Sequence, residues 1–406
     1  MPVTSSAQIA FDTDPVSTAH AFDLANPPDA YFDDPSGYFR LLRDHDPQHR
    51  NGDGSLLLTR YDDVRTIWRD LTATVDKDDL FRQRWGDGPL LECHTTHMLF
   101  RDPPDHDRLR VILNPFFTPK AVRSFDEPVR NVCGELISKF EDKGGCDFVA
   151  DFAILFPSYI FLDLMGMPRE KLPDFIHWEH EVMRAADPKD RVAAAREIYA
   201  YLSDHKDRQK ANPSSDFLRA IVTGEVDGRP LDHLEIMGML YVLYVGGLDT
   251  VYSTLGWVMR HLATHPELQD RLRDHPEDLP AALEEFFRAF SVAITFRQVT
   301  SDYMFHGAPL KKGDEIYLPI MLADRDPRVF DDPHTVDIDR KSRHINFGTG
   351  VHICLGLHLA KREICVVLEE FLKRFRNIRI REGETYRYHT PSGFGVDYLP
   401  IVWDRA

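Results

Sequence analysis

The 406-residue sequence predicts a mainly α protein with a smaller β-rich region, and three observations predict it. Apolar residues recur three and four apart through most of the chain, which is helical periodicity. Short β-prone runs occur at Ser55-Leu56-Leu57-Leu58-Thr59, around Tyr303 to Phe305 and at Glu315 to Pro319. One apolar stretch, Ile236 to Ala263, has roughly the length of a bilayer crossing, but Asp249 interrupts it beside Gly246 and Gly247 and no Lys or Arg cluster precedes it. It reads as a buried helix of a soluble protein.

Taken in order, Met1 to Asp14 carries no basic residue and no signal-length apolar run, so no export or organelle address is expected. Residues 1–30 are expected to be a flexible arm and 31–406 a single domain. Helical patterns follow at Tyr61 to Arg69, Ala121 to Glu141 (stopped by Gly144-Gly145), Asp151 to Met165, Glu170 to Ala185 and Arg191 to Lys210. After the turn Asn212-Pro213-Ser214-Ser215 come the long apolar helix and a helix from Glu277 to Phe290. Asp324 to Asp337 is Pro-rich yet varied, which predicts an ordered, irregular meander. Leu357 to Phe375 closes the helical series. No solenoid repeat is visible.

The composition, 43% hydrophobic and 28% charged, excludes wholesale disorder. Five cysteines without dense spacing point to a reducing cytoplasm rather than a secreted disulfide scaffold. With 49 Lys and Arg against 66 Asp and Glu, the net charge of -17 argues against nucleic acid and anionic membranes as partners.

The strongest chemical signal is Phe347-Gly348-Thr349-Gly350-Val351-His352-Ile353-Cys354-Leu355-Gly356. The glycines permit tight turns and close approach of a flat ligand, and amides at the following helix N-terminus can stabilise a sulfur anion. No second cysteine lies at zinc-pair spacing, so Cys354 suits a single axial ligand to haem iron. An isolated cysteine would more often be a buried structural thiol; the glycine spacing is what sets this one apart.

This pattern resembles the haem-binding loop of the cytochrome P-450 family, and the rest of the chain beyond the arm follows the family's order of motifs. The resemblance implies the cytochrome P-450 fold, with haem b between the long central helix and the cysteine-loop helix. Glu285-Phe286-Phe287-Arg288 resembles the E-x-x-R helix, joined by Arg340 from the meander. Asp102-Pro103-Pro104 with His106 and Arg110 resembles a propionate-binding segment, and Arg297 and His352 complete that set by the same resemblance, with Phe347, Gly348 and Gly356 at the haem face. Gly246-Gly247-Leu248-Asp249-Thr250 resembles the acid–alcohol pair, which implies proton delivery by Asp249 and Thr250. The two glycines cost about 1 kcal/mol each in a helix relative to Ala, a cost that close approach of a ligand or a local distortion would offset.

The sequence is similar in particular to the bacterial camphor hydroxylase branch, for example at Leu310-Lys311-Lys312-Gly313-Asp314. The pocket departs from it at His94, Ala293 and Thr295, which with Val245 and Gly246 form the expected substrate contacts; His94 equally reads as an exposed loop residue. The implied activity is hydroxylation of a small hydrophobic terpenoid or norisoprenoid, camphor- or ionone-like, by dioxygen. Electrons would come from a [2Fe–2S] ferredoxin with an NADH-dependent reductase, docking on Arg110, Lys341, Arg343, Lys361 and Arg362. A peroxide-driven peroxygenase and a non-catalytic haem sensor are the alternatives.

Overall fold

The computed structural model describes residues 14–405 apart from 25, 29, 32–34, 71, 186, 342 and 390–393. The helices that position the site are, in chain order, α1 (Pro15–His20), α2 (Tyr61–Ile67), α3 (Pro89–Thr96), α4 (Asp105–Leu113), α5 (Asp126–Ser138), α6 (Leu155–Leu164), α7 (Leu172–Arg184), α8 (Pro188–Ala211), α9 (His233–Gly247), α10 (Asp249–Leu262), α11 (Leu279–Ala289) and α12 (Leu357–Arg374). The strands of the two larger sheets are β1 (Gln48–Arg50), β2 (Leu56–Leu58), β3 (Ala73–Thr74), β4 (Gly145–Asp147), β5 (Ile294–Val299), β6 (Glu315–Pro319), β7 (Phe375–Ile380) and β8 (Pro400–Arg405). Their orders are β1-β2-β6-β5-β3 and β7-β8-β4. The mainly α class with a smaller β region is the class observed.

β2 pairs in parallel with β6, Leu56 opposite Ile316. A parallel pair needs a long crossover, and here the crossover carries α2 through α11. All three residues of β2 are buried, as expected of a strand covered on both faces. β5 runs antiparallel to β6 with Arg297 opposite Ile316 and Thr295 opposite Leu318. Alternation along β5 therefore puts Thr295 and Arg297 on one face.

Several helices predicted as single runs are divided. The run from Ala121 to Glu141 consists of a short helix, Pro119–Val122, a tight turn and then α5. Pro128 has no N–H to give to a preceding turn, so it is tolerated only near a helix start, and α5 begins two residues before it. Pro157 acts likewise: a wide turn over Val149–Ala153 precedes α6. The long apolar run is α9 and α10, interrupted at Leu248 (φ -103°, ψ -71°) directly after Gly246-Gly247. A reciprocal cap, Glu235 N–H to Asp232 and Asp232 N–H to Glu235, starts α9. Among the described residues, His233–Leu262 is the one run long and apolar enough to cross a membrane, and half of its most apolar window is buried inside the chain.

The apolar interior has one large cluster around α5, α10, α11 and α12 and another around α7, α8 and α9. Leu155 and Tyr159 of α6 touch both. Part of the segment expected to be a flexible arm is built into the fold: α1 is capped by Asp14, and Ala19, Phe22 and Leu24 pack against Tyr31 and Phe39. Burying Phe22 and Leu24 offsets the entropy of ordering this segment. Residues 1–13 lie outside the described residues.

Candidate active site

The cysteine loop is held by its own backbone. Cys354 N–H donates to the Phe347 carbonyl at 2.8 Å, and Gly348 N–H donates to Ile345 at 2.8 Å. Gly350 has φ +77°, and a Cβ there would lie 3.2 Å from the Trp68 carbonyl, so both its conformation and its clearance call for glycine. Arg69 of the same segment donates to the Thr349 hydroxyl at 2.9 Å. The Phe347 ring meets Phe287 of α11 edge-on at 4.8 Å.

Cys354 is surrounded by protein atoms yet its surface remains accessible, which places it at the base of an open recess. Burial pushes its thiol up, against the Gly356 amide and the Arg110 charge, which favour the anion. Leu355 and Leu359 pack into the same apolar cluster as Val245 and Leu248, so the loop and the α9–α10 junction face common ground. At that junction Gly246, Gly247 and Thr250 are exposed while Tyr244, Leu248 and Val251 are buried. A Cβ built on Gly246, Gly247 or Gly356 would meet nothing within 4 Å. Open space thus lies along the middle of the core helices.

A cluster of arginine and histidine side chains gathers beside the loop. The His106 and His352 rings meet at 4.5 Å, and His352 Nε2 bonds Asp102 Oδ1 at 3.1 Å. Burial would raise the Asp102 carboxyl, but hydrogen bonds from His352 and Thr74, with Arg297 nearby, outweigh it and hold the carboxyl below its usual value. Burial lowers His106, opposed by its bond to Asp107. Arg110 donates to the carbonyls of Val351 (3.3 Å) and Ile353 (2.5 Å). Arg297 is only 6% exposed, and its one hydrogen bond among the described residues runs from Nη1 to the Phe296 carbonyl at 2.8 Å. Burial brings it down to about 10, with Asp102 opposing, so it is still a cation at neutral pH. A buried guanidinium with four unused donors, next to an open recess floored by a thiol, fits a group carrying carboxylates and a metal that binds sulfur.

Glu285 and Arg288 are completely buried and bidentate, with both N–O distances 2.7 Å. Arg340 reaches Glu285 Oε1 at 3.2 Å and the Asp337 amide reaches it at 3.0 Å. Arg288 also donates to the carbonyls of Asp324, Pro333 and Thr335, which binds the meander to α11. Asp324 in turn accepts from Ile345 N–H at 2.8 Å, two residues before the loop.

The expected proton-delivery pair lies at the helix break. Thr250 donates to the Gly246 carbonyl at 3.2 Å, the back-bonding of a helical threonine, and its side chain is exposed to the recess. Asp249 is half-buried beside it. Of the expected substrate contacts, Val245 lines a small cavity with Glu179, Val182 and Tyr244. Ala293 packs against the sheet cluster, and the Thr295 hydroxyl accepts from the Trp68 indole at 3.0 Å. His94 is not an exposed loop residue. It lies in α3, half-buried, its ring among Phe81, Phe100, His97 and Tyr241 at 5.3–5.8 Å. The contacts of Trp68, Arg69 and His97 join segments far apart in sequence, and no motif announced them.

The expected basic face is divided. Lys361 pairs with Glu284 at 2.5 Å, and Arg362 pairs with Asp126 and Glu369. Lys341 and Arg343 are exposed, and among the described residues neither makes an ion pair.

The fold, with its thiol loop beneath two glycine-broken core helices, places the chain among haem-thiolate enzymes. A family model described as cytochrome P450 matches residues 189–401, more than half of the chain. The chain belongs to the cytochrome P450 family and is an oxidoreductase. It is 33% identical over 357 residues to the probable cytochrome P450 127A1 of Sinorhizobium fredii, covering 87% of this chain and 84% of that one. It is 30% identical over 333 residues to the polyketide biosynthesis cytochrome P450 PksS of Bacillus subtilis, covering 80% and 82%. The solved structure of tirandamycin C-bound P450 monooxygenase TamI has a TM-score of 0.85 at 30% identity, with 93% and 99% of the two chains covered. These relatives do not single out the camphor hydroxylase branch. Monooxygenation on a haem-thiolate centre goes with the family, as does supply of electrons by an external redox partner in its bacterial soluble class.

Proposed function

We propose that the chain holds haem b through the Cys354 thiolate and hydroxylates a small hydrophobic substrate. The observation that carries this reading is the accessible Cys354 beneath open space at Gly246, Gly247 and Thr250, in helices otherwise buried at their flanks. Arg297 and Arg110 would neutralise the haem carboxylates, His106 and His352 would donate hydrogen bonds to them, and Phe347, Gly348 and Gly356 would lie against the haem. The bound haem supplies the redox chemistry that activates dioxygen, and thiolate ligation favours O–O cleavage.

The chain's own part is placement and protons. The Thr250 hydroxyl, on giving up the Gly246 carbonyl, holds a water in the recess, and Asp249 passes protons to it from outside. Glu285, Arg288 and Arg340 fix α11 and the meander behind the loop. Val245, Gly246, Ala293, Thr295 and the His94 region bound the substrate, read here as a camphor- or ionone-like terpenoid or norisoprenoid. A [2Fe–2S] ferredoxin, reduced by an NADH-dependent reductase, delivers the electrons, and the chain works in the cytoplasm. This substrate class rests on the resemblance of segments such as Leu310-Lys311-Lys312-Gly313-Asp314 to the camphor hydroxylase branch.

Cys354→Ser is expected to abolish the long-wavelength Soret band of the reduced carbonyl complex; an unchanged band removes Cys354 as the ligand. Thr250→Ala is expected to keep substrate binding and divert reducing equivalents to peroxide. Full coupling in that variant refutes its role. Turnover with NADH, reductase and ferredoxin, but not with peroxide alone, separates this reading from a peroxygenase or a sensor. Because PksS and TamI carry polyketide and tirandamycin in their names, a tirandamycin-type ligand belongs in the binding screen beside ionones.

A further inference from the structure

The face of α10 that follows the helix break is covered by a two-stranded hairpin, Arg387–His389 paired with Gly395–Tyr398. Trp257 Nε1 donates to the Phe394 carbonyl at 3.0 Å, and a Cβ on Gly256 would lie 3.0 Å from Val396, so helix and hairpin are in close contact. Within this contact Ser253 is 1% exposed, and its Oγ has no hydrogen-bond partner among the described residues. A buried hydroxyl that bonds to nothing is costly and calls for an explanation.

Gly395 shows what lies beside that hydroxyl. A Cβ there would stand 2.5 Å from Ser253 Oγ and 2.8 Å from His389 Nε2, so the two atoms flank one point and are at most one water apart. His389 is the cross-strand partner of Gly395, and its ring folds over the bare glycine. Its other nitrogen, Nδ1, bonds Asp397 Oδ1 at 2.6 Å. A carboxylate only accepts, so Nδ1 carries a proton and Nε2 is left on the serine side. The side chains of Asp397 and His389 are 42% and 16% exposed, and with Ser253 they step down from solvent to the core helix. A ring laid over a strand glycine is an ordinary packing device. It accounts for neither the unbonded hydroxyl beneath the ring nor the carboxylate behind it.

We propose that His389, held by Asp397, is a proton inlet that passes solvent protons through the Ser253 hydroxyl to Asp249. The inference rests on the reading above, in which Asp249 delivers protons to the recess, and it adds where those protons enter. Asp249 and Ser253 are four apart within α10, on the same side of the break at Leu248, which puts their Cβ atoms about 5–6 Å apart on one face. The charged ring gives its Nε2 proton to Ser253 Oγ while the Oγ proton passes to the Asp249 carboxylate. Nδ1 keeps its proton on Asp397, and a solvent proton restores the ring. One proton enters, one reaches Asp249, and the hydroxyl is regenerated. Both residues act through Asp249 and position the proton it receives. The other charged groups around the hairpin have their own contacts. Arg387 and Arg260 lie over the Tyr398 and Tyr386 rings, Glu384 bonds Arg381 and Tyr398, and Asp147 and Asp151 accept backbone amides.

The test uses holoenzyme with saturating reduced ferredoxin and an ionone as substrate. His389→Phe keeps a ring over Gly395 and removes both nitrogens. It is expected to slow product formation about three- to tenfold, short of the 100-fold or more that loss of a general acid costs, and to leave substrate affinity and haem content unchanged. The solvent deuterium isotope effect should rise, and the decline of rate above neutral pH that a histidine donor imposes should disappear. Ser253→Ala should give the same changes, and the double variant should be no slower than either single one, because both residues lie on one path. His389→Gln, polar but unable to relay a proton, should match His389→Phe and serves if that variant folds poorly. Multiplying effects in the double variant overturn the proposal, as do an unchanged isotope effect and pH profile. A holoenzyme crystal structure gives a readout apart from turnover: His389 Nε2 joined to Ser253 Oγ directly or by one water is expected, and a hydroxyl bonded only within its own helix overturns the inlet. Failure of the wider reading looks different: Asp249→Asn then turns over as fast as wild type, whatever His389 does.

Discussion

Arg288 and Arg297 are both buried guanidiniums within ten residues of each other, and they differ in how many of their donors are used. Arg288 makes five hydrogen bonds, two to Glu285 and three to meander carbonyls, which equals the number of N–H groups it carries. Arg297 makes one. Burial is nearly the same in the two, so saturation is what distinguishes them. A saturated cation is complete as part of the fold, and an unsaturated one beside an open recess is half of a binding site.

The largest effect should come from breaking the saturated side. Arg288→Leu leaves Glu285 in the core with only Arg340 and the Asp337 amide, and the loss is expected to be about 3–5 kcal/mol in urea unfolding. Glu363 offers a third case, a carboxyl on α12 buried with no counter-charge among the described residues. Burial alone raises it to about 8 from 4.5. Between those values the folded chain holds a proton that the unfolded chain has lost, so this contribution is complete below pH 4.5 and declines as pH rises to about 8. Asp324, also raised by burial to about 8, acts in the same direction. Glu363→Gln should flatten the pH profile and be more stable than wild type at pH 7 by on the order of 3 kcal/mol. Parallel unfolding curves for the two proteins from pH 5 to pH 8 would show that Glu363 is ionised in the fold. Arg297 has no such escape, because at about 10 it stays charged at neutral pH.

The saturated region was more legible in the sequence than the unsaturated one. Glu285 and Arg288 are three apart on one helix, a local spacing, and the loop around Cys354 is contiguous. Yet Glu and Arg at that spacing more often form a surface pair, so both the burial of this pair and its third partner, Arg340, came from the family resemblance. The division of α9 from α10 was half legible: Gly246-Gly247 signalled distortion, but the break at Leu248 depends on tertiary packing. Pro128 and Pro157 did mark new helix starts, and the strength of the flanking periodicity hid them. His97 left no signal at all. Its burial comes from Gly238, Tyr241 and Phe100 meeting it in space, and no local spacing encodes that. The packing of Phe22 and Leu24 was obscured for the same reason, since a short polar-flanked segment looks like an arm until its partners near residue 39 are known.

Breaking the unsaturated side should leave the fold and cost the ligand. Arg297→Leu replaces a poorly compensated buried charge with an apolar side chain, so unfolding of the haem-free chain is expected to change by less than about 1 kcal/mol or to improve. Haem retention, measured as haem per chain after gel filtration, should fall. If Arg297→Leu destabilises the haem-free chain as much as Arg288→Leu does, the distinction between saturated and unsaturated cations fails.

The same logic carries to the surface, where the effects should be smallest. Lys361 is committed to Glu284, whose carboxyl is held at about 2 by its bonds to His344 and Lys361. Lys341 and Arg343 have no such commitment among the described residues. An acidic ferredoxin can recruit an uncommitted ammonium or guanidinium without first breaking a pair, so Lys341→Gln with Arg343→Gln should slow association several-fold at low ionic strength. The effect should fade as salt shortens the screening length toward 3 Å at about 1 M. Lys361→Gln removes one charge from the same field and should slow association less, because its contact with the partner was never free. Stopped-flow reduction across a salt series decides this: if Lys361→Gln slows electron delivery as much as the double variant, the pair with Glu284 opens on docking, and saturation in the free chain does not predict which cations a partner uses.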